Sequence, residues 1–82
     1  MAKVRFYAAA RQAAGNLDEQ DLAAGSLCEL TAMLRHTHGE RMAQVLARCS
    51  FLVDGMAVAD RSVDVALPTD TTVDVLPPFA GG

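Results

Sequence analysis

The sequence predicts a small α+β domain in which one mixed β-sheet is covered by one main amphipathic helix. Three observations support this fold class: the chain has only 82 residues, strand patterns lie near both of its ends, and one strongly capped helix pattern lies between them. A chain of this length forms a single domain. One amphipathic helix can cover one face of one sheet, which is the arrangement of an α+β roll.

The first quarter of the chain predicts a strand, a helical turn and a second strand. Apolar and polar residues alternate over residues 4–8, which is the period of a strand. The alanine-rich segment 8–14 predicts a short helical turn that ends at the Gly-Asn turn signal of residues 15–16. The mostly acidic segment 17–22 predicts a strand at the edge of the sheet, because charged side chains there block further pairing.

The clearest helix begins after Ser26. Ser26 and Glu29 have the S-x-x-E spacing of a capping box, and Gly39 suits the end of the helix. The residues predicted to share its apolar face follow at helical spacing: Leu27, Leu30, Thr31 and Leu34. A second, shorter helical stretch is predicted from the spacing of Met42, Val45, Leu46 and Cys49.

The second half of the chain predicts several strands. The apolar run 51–53 indicates a buried strand, and the Asp54-Gly55 pair that follows it is a strong hairpin signal. Residues 57–59 are then predicted to return beside that strand. Residues 62–67 alternate between apolar and other side chains and predict a further strand, before the last strand at residues 72–76.

Composition and charge exclude several classes of function. Seven basic and ten acidic side chains give a net charge of −3, which argues against nucleic acid as a partner and favours a partner with a basic surface. No segment approaches the ~20 apolar residues that span a bilayer. Because so small a domain leaves little room for a deep cleft, we expect a carrier, a binding module or a subunit, not an enzyme acting alone.

The cysteines and histidines do not predict a chemical site. Cys28 and Cys49 form no Cys-x-x-Cys pair and lie among apolar neighbours, which predicts reduced core thiols. His36 and His38 are two residues apart on a helix, and nothing nearby completes a set of metal ligands. The start of the chain lacks the apolar core of a signal peptide. We therefore expect no metal site and a cytoplasmic location.

The end of the chain is its most informative segment. It reads Leu76-Pro77-Pro78-Phe79-Ala80-Gly81-Gly82, directly after the last strand. Proline ends the strand and keeps its exit extended, and glycine without a Cβ can thread a narrow channel. The four residues after Pro78 reach at most about 14 Å when extended. We expect a domain over residues 1–78 and a flexible tail over 79–82, whose reactive group is the Gly82 carboxylate.

Taken together, these segments resemble the ubiquitin-like sulfur carriers with a β-grasp fold, most closely the small subunit of molybdopterin synthase, the MoaD family. The resemblance covers essentially the whole chain, and its specific element is the terminal Pro-Pro-x-Ala-Gly-Gly. Phe79 stands where the family more often has a smaller aliphatic residue. The matching segments are Val4-Arg5-Phe6-Tyr7-Ala8, Ala10-Arg11, Ala14-Gly15, Val53-Asp54-Gly55 and the end of the chain from Leu76 to Gly82.

The resemblance implies a chemistry centred on Gly82. A separate adenylyltransferase of the ubiquitin-activating type, using ATP and Mg, activates the Gly82 carboxylate, and a sulfur donor enzyme supplies the sulfur of a thiocarboxylate. Gly81 and Ala80 thread into the large synthase subunit, where the sulfur attacks a cyclic pyranopterin precursor. A heterotetramer with that subunit is expected, with no cofactor bound by this chain. The residues expected to contact partners are Phe79, Pro78, Leu76 and, if the first and last strands are neighbours, Arg11.

Three other functions stay open at this stage. The chain could carry sulfur for thiamine thiazole or cysteine biosynthesis, since the chemistry of the tail is the same. It could be a protein modifier joined to lysines through Gly82, as ubiquitin is. It could also be an interaction domain whose tail is inert.

Overall fold

The structure of the chain, a computed structural model, describes residues 1–78. These residues form five strands and three helices. In chain order they are β1 Ala2–Phe6, α1 Ala9–Ala13, β2 Glu19–Leu22, α2 Leu27–His38, α3 Glu40–Arg48, β3 Ser50–Val53, β4 Met56–Ala57 and β5 Thr72–Leu76.

The strands form one mixed sheet in the order β2-β1-β5-β3-β4. The first and last strands pair in parallel at its centre, with Val4 opposite Val73 and Phe6 opposite Val75. The other pairs are antiparallel. Parallel pairing brings the carboxyl ends of β1 and β5 to the same edge of the sheet. The segments that follow these two strands therefore begin side by side, and the predicted adjacency of the first and last strands is confirmed.

The core lies between one face of the sheet and the helices α2 and α3. Strand periodicity directs alternate residues of the three central strands to this face, and the helices supply matching apolar residues. Removal of apolar surface from water stabilises such a core by about 25 cal/mol per Å². Its largest fully buried members are Phe51, Leu30, Leu34, Met42, Leu46, Val4, Val73 and Val75. The predicted α+β roll is thus confirmed, with two helices packed on the sheet.

Two side chains cap the start of α2. The Ser26 hydroxyl accepts a hydrogen bond from the Glu29 N–H at 3.1 Å, as the capping box predicts. The Asp64 carboxylate, from a distant loop, accepts from the Cys28 N–H at 2.9 Å. That backbone hydrogen bond lowers the pKa of Asp64. Gly39, with φ of 86°, ends α2 and begins α3 in one residue, a conformation that favours glycine.

The prediction of a strand over residues 62–67 is wrong. This segment makes one isolated bridge, between Ala66 and Ser26, and the Leu27 N–H donates to the Val65 carbonyl at 2.8 Å. Its backbone groups therefore pair with the segment that leads into α2 and not with an edge of the sheet. Periodicity alone does not distinguish these two partners.

The bounds of several strands also differ from the prediction; β2, for example, begins at Glu19 and not at residue 17. β1 ends at Phe6 because Ala8 turns the chain with φ of 53° and ψ of −122°. The returning strand of the hairpin is only Met56–Ala57. The hairpin turn itself is confirmed, with positive φ at both Asp54 and Gly55.

Only one of the two cysteines is a core residue. Cys49 is buried, whereas Cys28 is exposed, because Leu27 and Leu30 take the inward positions of the first turn of α2. Both are free thiols. Within residues 1–78, no helix has the length and apolar character that a membrane span requires.

Candidate functional site

The last strand leaves the sheet beside an open groove, which we call the tail-root groove. It has a volume of about 620 Å³ and lies between α1, α3 and the end of β5. Its described lining consists of Tyr7, Ala8, Ala9, Ala10, Gln44, Val45, Ala47, Arg48, Cys49, Leu76, Pro77 and Pro78.

The local sequence explains why a groove forms here. The Tyr7 N–H donates to the Val75 carbonyl at 3.2 Å, which extends the pairing of β1 and β5 by one residue. Pro77 and Pro78 have no N–H and cannot continue this ladder. The chain after β1 turns into the alanines of α1, whose small side chains leave the space beside the departing strand unfilled.

Ala8 lines the groove in a strained conformation. Its φ of 53° with ψ of −122° is a region that favours glycine, and such residues cost about 1–3 kcal/mol. The turn is held by hydrogen bonds from the Gln12 N–H to the Ala8 carbonyl and from the Ala10 N–H to the Tyr7 carbonyl, both 3.1 Å. The first turn of α1 therefore keeps this wall of the groove in place.

Arg48 supplies a positive charge at the groove. Its side chain is exposed and makes no hydrogen bond or ion pair with any of residues 1–78. None of the described lining residues is acidic. By contrast, Asp54 and Asp70 lie beyond the opposite end of β5, where Asp54 pairs with Thr72.

Cys49 lies at the base of the groove as a buried thiol. It is 5% exposed, and its Sγ lies 3.5 Å from the Leu46 carbonyl oxygen. Burial raises the pKa of Cys49 to about 11. The thiol therefore stays protonated near neutral pH and is a poor nucleophile there.

Arg61 covers the carboxyl end of α3 on the side away from the tail-root groove. The sequence did not identify it as a functional residue. It donates to the carbonyls of Leu46 at 2.5 Å, Cys49 at 3.2 Å and Ala47 at 3.4 Å. Its guanidinium also lies 4.9 Å from the centre of the Phe51 ring. A cation that binds the last carbonyls of a helix stabilises its end. No local pattern identifies this role, since Arg61 lies in a loop distant in sequence.

The predicted site residues fall into three groups. Leu76 and Pro78 line the tail-root groove. Arg11 lies on α1 outside the lining, and its Nε is 2.8 Å from Oδ1 of Asp18. The remaining ones lie outside the described residues: Phe79, Ala80, Gly81 and Gly82.

Two other motif residues hold the fold together. On the sheet face away from the helices, Arg5 pairs across β1 and β5 with Asp74, at 2.6 Å and 3.1 Å in a two-point contact. At the hairpin, the Asp54 carboxylate accepts from the Thr71 hydroxyl at 2.5 Å and from the Thr72 N–H at 2.8 Å. The Thr71 hydrogen bond is the main cause of the lowered pKa of Asp54.

The histidines and acidic residues do not assemble a metal site in the described part of the chain. Among residues 1–78, no three His, Cys, Asp or Glu side chains are placed to hold an ion. The Nε2 atom of His38 is 2.8 Å from the Gln20 Oε1, and the ring meets Phe6 edge to face at 5.9 Å. His38 therefore packs between α2 and the sheet.

The family of the chain is decided by comparison with family models. The model described as the ThiS family matches residues 4–82, which is nearly the whole chain. The chain belongs to the ThiS family. The sulfur carrier family predicted from the sequence is confirmed, and this ThiS family member has the expected ubiquitin-like fold. No curated protein matches the chain.

Solved structures support the same fold. The chain is similar to a chain in the Amycolatopsis orientalis BexX/CysO complex, with a TM-score of 0.80, 16% identity and full coverage of both chains. It is similar to the small archaeal modifier protein 1 of Methanosarcina acetivorans, with a TM-score of 0.78, 18% identity and coverage of 99% and 95%. It also resembles a chain in the complex of subunits 1 and 2 of the molybdopterin-converting factor from Helicobacter pylori, with a TM-score of 0.70, 22% identity and coverage of 99% and 97%.

Proposed function

We propose that this ThiS family member is the small, sulfur-carrying subunit of a molybdopterin synthase and that Gly82 carries the sulfur. One observation carries the proposal: β5 ends at Leu76, and in the sequence two prolines follow it directly, before Phe79, Ala80 and the final Gly-Gly. The reactive group is then the end of the chain itself. The domain needs no cleft of its own, because the partner enzyme supplies one.

The chemistry uses two displacement steps before sulfur delivery. The Gly82 carboxylate attacks the α-phosphorus of ATP, the bond to the β-phosphate oxygen breaks, and pyrophosphate leaves. A sulfide equivalent then attacks the acyl carbon, the bond from that carbon to the AMP oxygen breaks, and AMP departs. The product is a thiocarboxylate at Gly82. When the sulfur is transferred to the pyranopterin precursor, water returns an oxygen to Gly82. The catalytic acids and bases, ATP and Mg belong to the partner enzymes.

The described domain is compatible with these steps. The four residues after Pro78 reach about 14 Å, which is enough to place Gly82 within an enzyme while the folded domain stays outside. Cys49, the thiol nearest the root of the tail, is kept protonated by burial and does not compete as a nucleophile. A cytoplasmic location, where ATP and reduced thiols are available, is part of the proposal.

Sulfur delivery to cysteine biosynthesis is a second candidate, because it would use the same chemistry at the end of the chain. The terminal Pro-Pro-x-Ala-Gly-Gly and the length favour molybdopterin, and both candidates share the thiocarboxylate at Gly82. Conjugation to lysines is a third use of the same terminus.

Intact mass spectrometry tests the carrier chemistry. The chain is incubated with a ubiquitin-activating-type adenylyltransferase, ATP, Mg²⁺ and sulfide. We expect a mass gain equal to the difference between a sulfur and an oxygen atom. The variant that lacks Gly82 is the control and should support no sulfur transfer, although it should keep its fold because the described core is built from residues between Ala2 and Val75. Absence of the gain in the wild-type chain would falsify the carrier proposal.

The thiocarboxylated chain then tests the assignment to molybdopterin. Mixed with the large synthase subunit and the cyclic pyranopterin precursor, it should yield the dithiolene product and return to its original mass. If the thiocarboxylate forms but no dithiolene appears, the carrier proposal holds and the molybdopterin assignment is wrong. A ladder of lysine-linked conjugates instead of a thiocarboxylate identifies a protein modifier.

A further inference from the structure

We propose that the tail-root groove is a docking site for the adenylating enzyme, and that it receives an apolar side chain next to a carboxylate. The inference rests on the proposed function, because it names the surface that brings that enzyme to Gly82. Three features of the described residues carry it: the position of the groove, its lining and the unpaired charge of Arg48.

The position of the groove follows from the reach of the tail. An enzyme that acts on Gly82 has its active site within about 14 Å of Pro78, since Gly82 is the fourth residue after Pro78. The mouth of that active site therefore faces the surface around Pro78. The tail-root groove opens at this surface, because Pro77 and Pro78 form part of its lining.

The lining of the groove suits an apolar side chain. Its walls are built from small and apolar residues, among them Ala8, Ala9, Val45, Ala47 and Leu76. Ala47 is exposed. A concave apolar surface of this kind gains most when an apolar anchor from a partner fills it and excludes water.

The charge at the groove indicates an acidic group beside that anchor. Arg5 and Arg11 are each paired with a carboxylate within the described chain, at 2.6 Å and 2.8 Å. Arg48 has no such partner among residues 1–78, and no described lining residue is acidic. A carboxylate on the enzyme complements this field, steers association and selects the orientation of docking.

Two substitutions in the groove and two matched controls test the proposal. Arg48→Glu reverses the charge, and Ala47→Phe fills the groove. Arg35→Glu and Ala32→Phe make the same changes at exposed positions of α2 outside the lining. The rate of thiocarboxylate formation is measured by intact mass at varied carrier concentration, with the adenylating enzyme, ATP, Mg²⁺ and sulfide. Thermal unfolding checks that all four variants keep the fold.

We expect Arg48→Glu and Ala47→Phe to lower kcat/KM about ten-fold or more, through KM, and both controls to match the wild type. For the wild type, kcat/KM should fall as salt is added, and Arg48→Ala should weaken this dependence. If both groove variants react as well as their controls, the docking proposal is wrong while the carrier function stands. If the wild-type chain gains no sulfur at all, the proposed function is wrong and the docking proposal is wrong with it.

Two further outcomes assign the groove to another occupant and also overturn the proposal. The first is that the tail of the same chain fills the groove. In that case, NMR spectra of the free chain should show shifted amide resonances of Ala47 and Val45 when residues 79–82 are removed. A concentration-dependent dimer that Arg48→Glu abolishes shows that a second copy fills it. We expect neither a shift beyond the residues next to the truncation nor a dimer.

Discussion

Arg61 and Arg48 both lie at the carboxyl end of α3, one over its last carbonyls and the other at the tail-root groove. Arg61 binds three carbonyl oxygens and covers the ring of Phe51. Arg48 makes no hydrogen bond or ion pair with any of residues 1–78. Both cations are placed where a helix dipole favours them.

The comparison shows how a small domain separates stability from interaction. The side that is closed by Arg61 uses its polar groups within the chain, so its residues contribute to folding. On the groove side, Arg48 has no partner among residues 1–78, so this side chain contributes little to folding and remains available to a partner. The polar groups at the far end of β5 are also paired within the chain, since both carboxylate oxygens of Asp54 accept hydrogen bonds, one from Thr71 and one from Thr72.

The largest expected effect is on Arg61. Arg61→Ala should lower the free energy of unfolding by about 2 kcal/mol, because it removes the hydrogen bonds to the α3 carbonyls and the contact with Phe51. Arg48→Ala should change it by less than about 0.5 kcal/mol, as is usual for an exposed side chain without partners. Urea unfolding measures both. Arg61→Lys should restore only part of the loss, since an ammonium group lacks the planar fork. If both substitutions lowered the free energy of unfolding equally, Arg61 and Arg48 would not differ in their contribution to folding.

The second-largest effect is expected in the reaction rates of the two cysteine thiols. With a thiol reagent at mildly alkaline pH, Cys28 should react readily and Cys49 at least about ten-fold more slowly, because burial raises the pKa of Cys49 to about 11. Labelled peptides identified by mass spectrometry give the two rates. Similar rates for both cysteines in the wild type would show that burial does not protect the Cys49 thiol.

A smaller effect is expected from acid, which should remove the stabilisation that Asp54 provides near the start of β5. Hydrogen bonds from Thr71 and Thr72 lower the pKa of Asp54 from its ordinary value of 3.8. The stabilisation is therefore present above pH 3.8 and is lost as pH falls through the lower value in the folded chain. The urea midpoint, followed from about pH 5 towards about pH 2, should fall less steeply in Asp54→Asn than in the wild type. An identical slope in both would show that Asp54 does not contribute.

The smallest effect is expected at Ala8. Ala8→Gly should raise the free energy of unfolding by up to about 1 kcal/mol, because relief of the backbone strain exceeds the entropy that glycine adds to the unfolded chain. The matched control Ala9→Gly lies in ordinary helix and should give no gain. Thermal unfolding compares the two. A loss at Ala8 as large as at Ala9 would show that the groove wall is not strained.

Much of the architecture was predictable because it depends on neighbours in sequence. The Ser26 cap, the end of α2 at Gly39 and the hairpin at Asp54-Gly55 each involve residues a few positions apart, and all three are confirmed. The segment 62–67 was mispredicted because its partner is the start of α2, which lies far away in sequence. Cys28 was misplaced because its neighbours along the chain, and not Cys28 itself, turn into the core.

The sequence by itself determined the family and the order of most elements, because the alternation of residues, the cap and turn signals and the terminal Pro-Pro-Phe-Ala-Gly-Gly are all local patterns. Only the tertiary structure decided which of the arginines have partners among residues 1–78: Arg61 binds three carbonyl oxygens, whereas Arg48 and Arg35 make no side-chain hydrogen bond or ion pair there. Parallel pairing of the first and last strands places α1 beside the root of the tail, and the loop that carries Arg61 folds back over the end of α3. Whether a charge is paired depends on such distant contacts, and for that reason the tail-root groove and its Arg48 are not visible in the sequence.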